Sequence, residues 1–280
     1  MTQEATGSTV CYRHPDRATR LSCANCGRPI CVDCSIDAAV GQKCPECARP
    51  EGRNRVVDVR RRSAGRSRFD TAPVSMTVIG ICVALSAMAF LVPSAENELL
   101  RRFASINPLI AQGDWWRVLT AAFLHGGLMH LLFNMYALYL FGPELESKVG
   151  STPFAMLYLA SAAGGGAASY LFGPDIQIAV GASGAIFGLF GAWLFVAYRM
   201  RQSASGRYLL NQLVVILAIN LALPLLIPNI DWRAHVGGLI TGVGISALWA
   251  SLAVGRRHAV LRRTVIAGAM LVGLIALVIV

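Results

Sequence analysis

The sequence predicts an all-α polytopic membrane protein of seven spans, preceded by a small metal-bound module. Three observations carry that reading. The 280-residue chain is 55% hydrophobic and only 14% charged, with a mean hydropathy of +0.55, which is too apolar for a soluble domain of ordinary composition. Its apolar residues gather in seven runs, at about 74–92, 118–141, 152–173, 182–199, 207–228, 234–253 and 264–280. A spanning helix uses roughly 20 such residues, so the last run is at the short end of the range. Seven of the eight cysteines lie before residue 48, mostly in pairs with two residues between, which reads as metal ligation.

The N-terminal module occupies residues 1–48. Residues 1–10 lack the charged start and apolar run of an export signal, so the mature chain is expected to begin here. Cys11 and His14, Cys23 and Cys26, Cys31 and Cys34, and Cys44 and Cys47 form four ligand pairs. Such spacing lets a tight turn aim two ligands at one metal, and eight sulfur or imidazole ligands fill two tetrahedral sites, for which zinc is the natural ion. A segment of roughly 45 residues buries too little core to fold unaided, so the metal would supply its stability. A cytoplasmic location keeps thiols reduced, which argues against disulfides. The pattern resembles the B-box type of zinc finger, with a cysteine pair at the last position where that family often has histidines. The resemblance implies cross-brace ligation, with Cys11, His14, Cys31 and Cys34 on one zinc and Cys23, Cys26, Cys44 and Cys47 on the other. It also implies two structural ions and a protein partner for the finger, with no ligand position left for catalysis.

Residues 49–73 follow, with an arginine-rich stretch from Arg49 to Arg68 that lacks hydrophobic periodicity and reads as a flexible basic linker. A net charge of +10 would suit a nucleic-acid binder, but in a membrane protein positive charge more often encodes orientation. With the N-terminus cytoplasmic, 21 of the 25 lysines and arginines fall on the cytoplasmic side, and only Arg101, Arg102, Arg117 and Arg233 fall outside. That asymmetry predicts the orientation and disfavours nucleic acid as a partner. The linker is then an orientation signal or a contact with anionic lipid of the bilayer. Twenty-three arginines against two lysines point to a GC-rich genome and a bacterial plasma membrane. Cys82, alone in the first span, reads as an inert packing residue.

Polar groups inside apolar runs are expensive and therefore informative. The second run carries His125, His130 and Asn134, and the last two are four apart, on one helical face. Each alone reads as interhelical hydrogen-bonding glue. The fourth run opens with Gly181-Ala182-Ser183-Gly184 and the sixth with Ala234-His235-Val236-Gly237-Gly238. The second, fourth and sixth spans share one direction, and His130, Ser183 and His235 lie in their first turns, so the three share one depth, near the outer leaflet. Independent glue residues have no reason to share a level. Gly184 and Gly188, like Gly238 and Gly242, are four apart and give each helix a flat stripe for close approach. Facing stripes would bring Ser183 and His235 within reach. A serine hydroxyl becomes a nucleophile when a base takes its proton, and neutral histidine suits that task. With no evident buried carboxylate to orient the histidine, the arrangement is a dyad. His130, Asn134 and the Ser183 N–H could serve an oxyanion.

Residues 74–253 resemble the rhomboids, the intramembrane serine proteases. The resemblance rests on Trp116-Arg117, on His125 followed by His130 and Asn134, on Gly181-Ala182-Ser183-Gly184, and on Ala234-His235 with Gly238 and Gly242. It implies a six-helix catalytic core, with residues 254–280 adding a basic loop and a seventh span. It implies Ser183 as nucleophile, His235 as general base then acid, and His130, Asn134 and Gly181 around the oxyanion. Trp116 and Arg117 would anchor a loop dipping into lipid, and His125 would hold loop structure or the water supply. No cofactor is implied for proteolysis. Many rhomboids have a tyrosine four residues after the serine, stacked on the catalytic histidine; Phe187 keeps the ring and loses the hydroxyl.

The expected activity is cleavage of membrane-anchored, single-span proteins, at segments where Gly, Pro or small polar residues let a helix unwind. An alternative is a non-proteolytic adaptor that binds transmembrane clients; such relatives typically lack the serine or the histidine, and both are present. A histidine-based transporter would be expected to carry acidic residues at mid-membrane, and none lies deep in the runs.

Overall fold

A computed structural model describes residues 9–38, 41–48, 68–227, 230–252 and 258–279. Residues 1–8, most of the expected linker (49–67), and Arg256 and Arg257 of the basic loop lie outside the described residues. The chain divides into two compact units, Met1–Gly65 and Arg66–Val280.

In the first unit, β1 (Leu21–Ser22) pairs antiparallel with β2 (Pro29–Ile30), and β3 (Ile36–Asp37) with β4 (Gln42–Lys43); α1 (Pro45–Ala48) is a single turn. Gly27, at φ +75°, turns the chain back after Cys26, and its N–H donates to the Cys23 carbonyl at 2.8 Å. The buried cluster consists of Ile30 and five cysteines, Cys11, Cys23, Cys31, Cys34 and Cys44. One aliphatic side chain surrounded by thiols is far too little apolar surface to hold a fold.

The second unit is helical. A turn, α2 (Arg68–Thr71), leads into α3 (Pro73–Leu91) and α4 (Pro93–Phe103), each started by a proline whose missing N–H costs nothing at that position. Then come β5 (Ser105–Ile106), α5 (Asn107–Ala111), α6 (Arg117–Thr120) and a 3-10 turn, Ala121–Phe123. The long helices α7 (Leu128–Val149), α8 (Ser151–Phe172), α9 (Ser183–Arg199), α10 (Ala204–Ala222), α11 (Trp232–Ser251) and α12 (Ala259–Ile279) complete the unit, with β6 (Ile178–Ala179) before α9.

Each of the seven apolar runs therefore becomes helix, with two refinements. The second run is not one rod: it bends by 94° between Phe123 and Leu128. Gly126-Gly127 sits at the break, with Gly127, immediately before α7, at φ +148°, a conformation that favours glycine and lies outside the helical range. His125 lies in this break and not within a span. By length and apolarity, four described helices can cross a membrane alone (α3, α10, α11 and α12), and the bent pair makes five. The remaining two differ for physical reasons. The 17 residues of α9 are short, and α8 is diluted by Gly, Ala and Ser because it is a central helix. Residues Ala160 to Gly165 of α8 are all buried.

Packing centres on α8, α9 and α11; α3 lies against α7, α10 against α9, and α12 against α8. A Cβ at Gly238 would fall on the Gly184 carbonyl, and one at Gly242 on the Gly188 carbonyl. Backbones meet there with no side chain between. At the far end of α7, Glu146 is only 1% exposed. It accepts from the N–H groups of Val74 (3.0 Å) and Ser75 (2.8 Å) and from the hydroxyls of Ser75 and Ser151 (both 2.7 Å). That carboxylate caps α3, whose own N-cap, Ala72, provides no side-chain acceptor.

Candidate active site

Ser183 is the first residue of α9, so its N–H belongs to the unpaired set at a helix start. His235 is in the first turn of α11 and 7% exposed. Its ring stacks on Phe187 with centroids 4.1 Å apart and planes 8° from parallel. Phe187 is one turn beyond Ser183 on α9, so the stack holds the imidazole against the face that bears the hydroxyl. The close approach of α9 and α11 at Gly238 makes this possible, as a side chain there would push the two helices apart. Among the described residues, Ser183 and His235 share no hydrogen bond; free enzymes often tighten such a bond only with substrate in place. His235 Nδ1 is buried without a hydrogen-bond partner.

His130 and Ser183, two of the residues expected around an oxyanion, meet at Gly181. That residue, at φ +131°, lies where a Cβ would be 2.6 Å from His130 Nε2 and 3.8 Å from Ser183 Oγ. Glycine is needed both for the backbone angle and for the imidazole's room. Its N–H donates to the Ala121 carbonyl at 2.9 Å, tying the segment before Ser183 to the turn before His125. Asn134 is buried and donates to the His130 carbonyl at 2.8 Å, which spends one of its two amide hydrogens and leaves the other.

The supporting residues divide. Arg117, 4% exposed, is the clamp of the segment between α4 and α6: it pairs with Asp114 at 2.9 Å and donates to the carbonyls of Ala104 (3.0 Å) and Arg101 (2.9 Å). Trp116 is exposed and packs edge-on against Trp115. Strand β5 of this segment pairs with β6, just before Gly181, through Ser105 and Ala179. His125 sits edge-on to His130, with ring centroids 5.2 Å apart, and both its nitrogens are buried without partners. Beside it lies a cavity of about 20 Å³ whose wall includes Ser86 and Glu96.

The match to known proteins falls on this region. The rhomboid domain model matches residues 112–252, half of the chain. The chain belongs to the rhomboid family. The rhomboid match spans every residue of the Ser183 site and ends before α12. Among relatives, the chain is 36% identical over 175 residues to the putative rhomboid protease YdcA of Bacillus subtilis, covering 61% of this chain and 87% of the relative. It is 43% identical over 150 residues to the rhomboid protease GluP of the same bacterium, covering 53% of this chain but only 29% of that longer protein. It is also 38% identical over 179 residues to RHOMBOID-like protein 6, mitochondrial, of Arabidopsis thaliana, covering 58% and 56% of the two chains.

In the first unit the ligand atoms gather in two sets, Cys11, His14, Cys31 and Cys34, and Cys23, Cys26, Cys44 and Cys47, each within 4.8 Å of one another. His14 Nδ1 lies 3.4 Å from the sulfurs of both Cys31 and Cys34. Each set could hold a metal ion. The Cys44 N–H draws the Cys23 thiol down to about 6 against the opposing effect of burial. Cys44 goes the other way: although the Cys47 N–H favours its thiolate, burial and the neighbouring sulfurs push it up to about 12. Four converging sulfurs cannot all ionise alone, and a dication removes that repulsion.

Sequence reasoning missed three carboxylate and loop features: the Glu146 cap, the β5–β6 pairing, and Asp231, which caps α11 and accepts from the Ser169 hydroxyl. Asp231 carried a readable signal, an acidic residue just before an apolar helix. The other two depend on partners about seventy residues away and had none.

Proposed function

We propose that the protein is an intramembrane serine endopeptidase cleaving membrane-anchored, single-span proteins. The observation that carries the reading is Ser183 at a helix start, one turn from a phenylalanine stacked on His235, inside the segment that matches the rhomboid model. Ser183 Oγ attacks the scissile carbonyl while His235 takes its proton. The tetrahedral oxyanion is met by the Ser183 N–H, His130 and the free hydrogen of Asn134, with Gly181 giving the room. Collapse breaks the C–N bond, and His235 gives its proton to the leaving amine. Water then attacks the acyl-enzyme, passing a proton to His235 and then to Ser183 Oγ as the acid leaves. The cavity beside His125 has room for one water, which supports a part in water supply for that residue.

The charge asymmetry supports a cytoplasmic N-terminus with the site facing outward, and the excess of arginine over lysine supports a bacterial plasma membrane. The two donor sets support two structural zinc ions in a B-box-type finger that binds a protein partner.

Labelling with a fluorophosphonate tests the activity. Ser183 displaces fluoride from phosphorus, and the adduct is expected to vanish in His235→Ala. A folded protein that takes no label sinks the protease reading in favour of the adaptor. A periplasmic reporter that is active when fused after Arg68 would overturn the orientation.

A further inference from the structure

A carboxylate stands at the head of the helix that carries His235. Asp231 caps α11: its Oδ1 accepts from the N–H groups of Arg233 (3.1 Å) and Ala234 (3.2 Å), and its Oδ2 accepts from the Ser169 hydroxyl. Ser169 is itself buried, in the last turn of α8. One carboxylate thus joins the end of α8 to the start of α11. His235 belongs to that first turn, and its N–H reaches the Asp231 carbonyl at 3.3 Å. Among the described residues, Asp231 shares no hydrogen bond with the imidazole, whose Nδ1 is buried without a partner.

We propose that Asp231 is a positioning residue for proteolysis. With Ser169 it fixes the first turn of α11, and its charge, one turn from the ring, stabilises the imidazolium formed when His235 takes the Ser183 proton. This inference rests on His235 acting as the general base. One helical turn is about 5.4 Å along the axis, close enough in a poorly solvated site for a fixed negative charge to favour the cationic ring. The other charged or titratable groups around His235 do the opposite or are distant. His130 comes from α7 and His125 from the break before it. Helices α8 and α9 bring no charged group at this end, and Arg233, on the same first turn, lies over the Trp232 ring at 4.9 Å. A buried imidazole that must become cationic beside another imidazole gains most from a fixed anion.

Capping and charge can be separated, because Asn and Ser cap a helix about as well as Asp and carry no charge. The experiment measures kcat/KM against pH for cleavage of a single-span reporter in detergent. It compares the wild type, Asp231→Asn, Asp231→Ser, Asp231→Ala and Ser169→Ala, with thermal unfolding followed in parallel. The neutral caps are expected to unfold near the wild-type temperature, to lower the plateau about threefold, and to move the acid limb down by about half a pH unit. The sign follows because losing the anion makes His235 harder to protonate, so the neutral base persists to lower pH. Asp231→Ala should show the same profile and also unfold earlier. Ser169→Ala should lower the plateau with little movement of the limb. Profiles for Asn and Ser that superimpose on the wild type would overturn the inference and leave Asp231 a cap only. If Ser183→Ala or His235→Ala still cleaves the reporter, it is the general-base reading that fails.

Discussion

Phe187 shows how much one ring contributes when a histidine has no carboxylate bonded to it. Its face holds the His235 imidazole at 4.1 Å and nearly parallel, and such aromatic contacts contribute about 0.5–1.5 kcal/mol beyond burial. Phe187→Ala is therefore expected to lower kcat/KM for reporter cleavage up to about tenfold. Phe187→Tyr, which keeps the face, should stay within about twofold. Initial rates of the purified variants decide this; an unimpaired alanine variant would mean that Asp231 and the helix packing hold the ring unaided. At this scale the sequence was highly legible. Ser183, His235 and His130 could be singled out from residue type and depth, because polar groups in apolar runs are few, while Gly181 came only from the family resemblance. The buried bonds of Arg117 were not legible, since each depends on a carbonyl whose position only the fold decides.

Glycine spacing sets the distance between elements. A methyl on Gly238 would occupy the space of the Gly184 carbonyl, whereas one at Gly244, on the same helix, would meet nothing within 4 Å. Overpacking of this kind costs about 1–3 kcal/mol. Gly238→Ala is expected to lower the unfolding midpoint in detergent and to slow fluorophosphonate labelling of Ser183, because separating α9 from α11 also separates the dyad. Gly244→Ala is the control and should match the wild type in both assays. Equal behaviour of the two variants would show that the glycine stripe does not set the site's geometry. Helix positions followed from apolar runs, and the close-packed faces from glycines four apart. The bend before α7 was hidden because its flanks are apolar on both sides, so hydropathy reads straight through it. Only Gly126-Gly127 marked the spot.

The whole molecule joins two units stabilised in different ways: one by helices packed backbone to backbone, the other by converging thiols. That division predicts independent failure. Metal analysis of the full chain should find two zincs, and a strong chelator should remove both. Chelation should make residues 9–48 sensitive to proteolysis while Ser183 still takes the fluorophosphonate label, because the donor sets contain no residue of the helical unit. A metal count of zero in protein purified under reducing conditions would end the zinc reading. The grouping of the cysteines and His14 into two sets was legible from spacing together with the family resemblance; the small ribbons of this unit were not, since two-residue strands carry no periodicity. Glu146 has a bearing on how the chain is made. The N–H groups of Val74 and Ser75 that it satisfies are synthesised 72 and 71 residues earlier. At about 5–20 residues per second, a nascent chain spends several seconds with the head of its first span unsealed. The first span to leave the ribosome is thus completed by the end of the second, and a nascent chain stopped short of residue 146 holds a first helix whose acceptor does not yet exist.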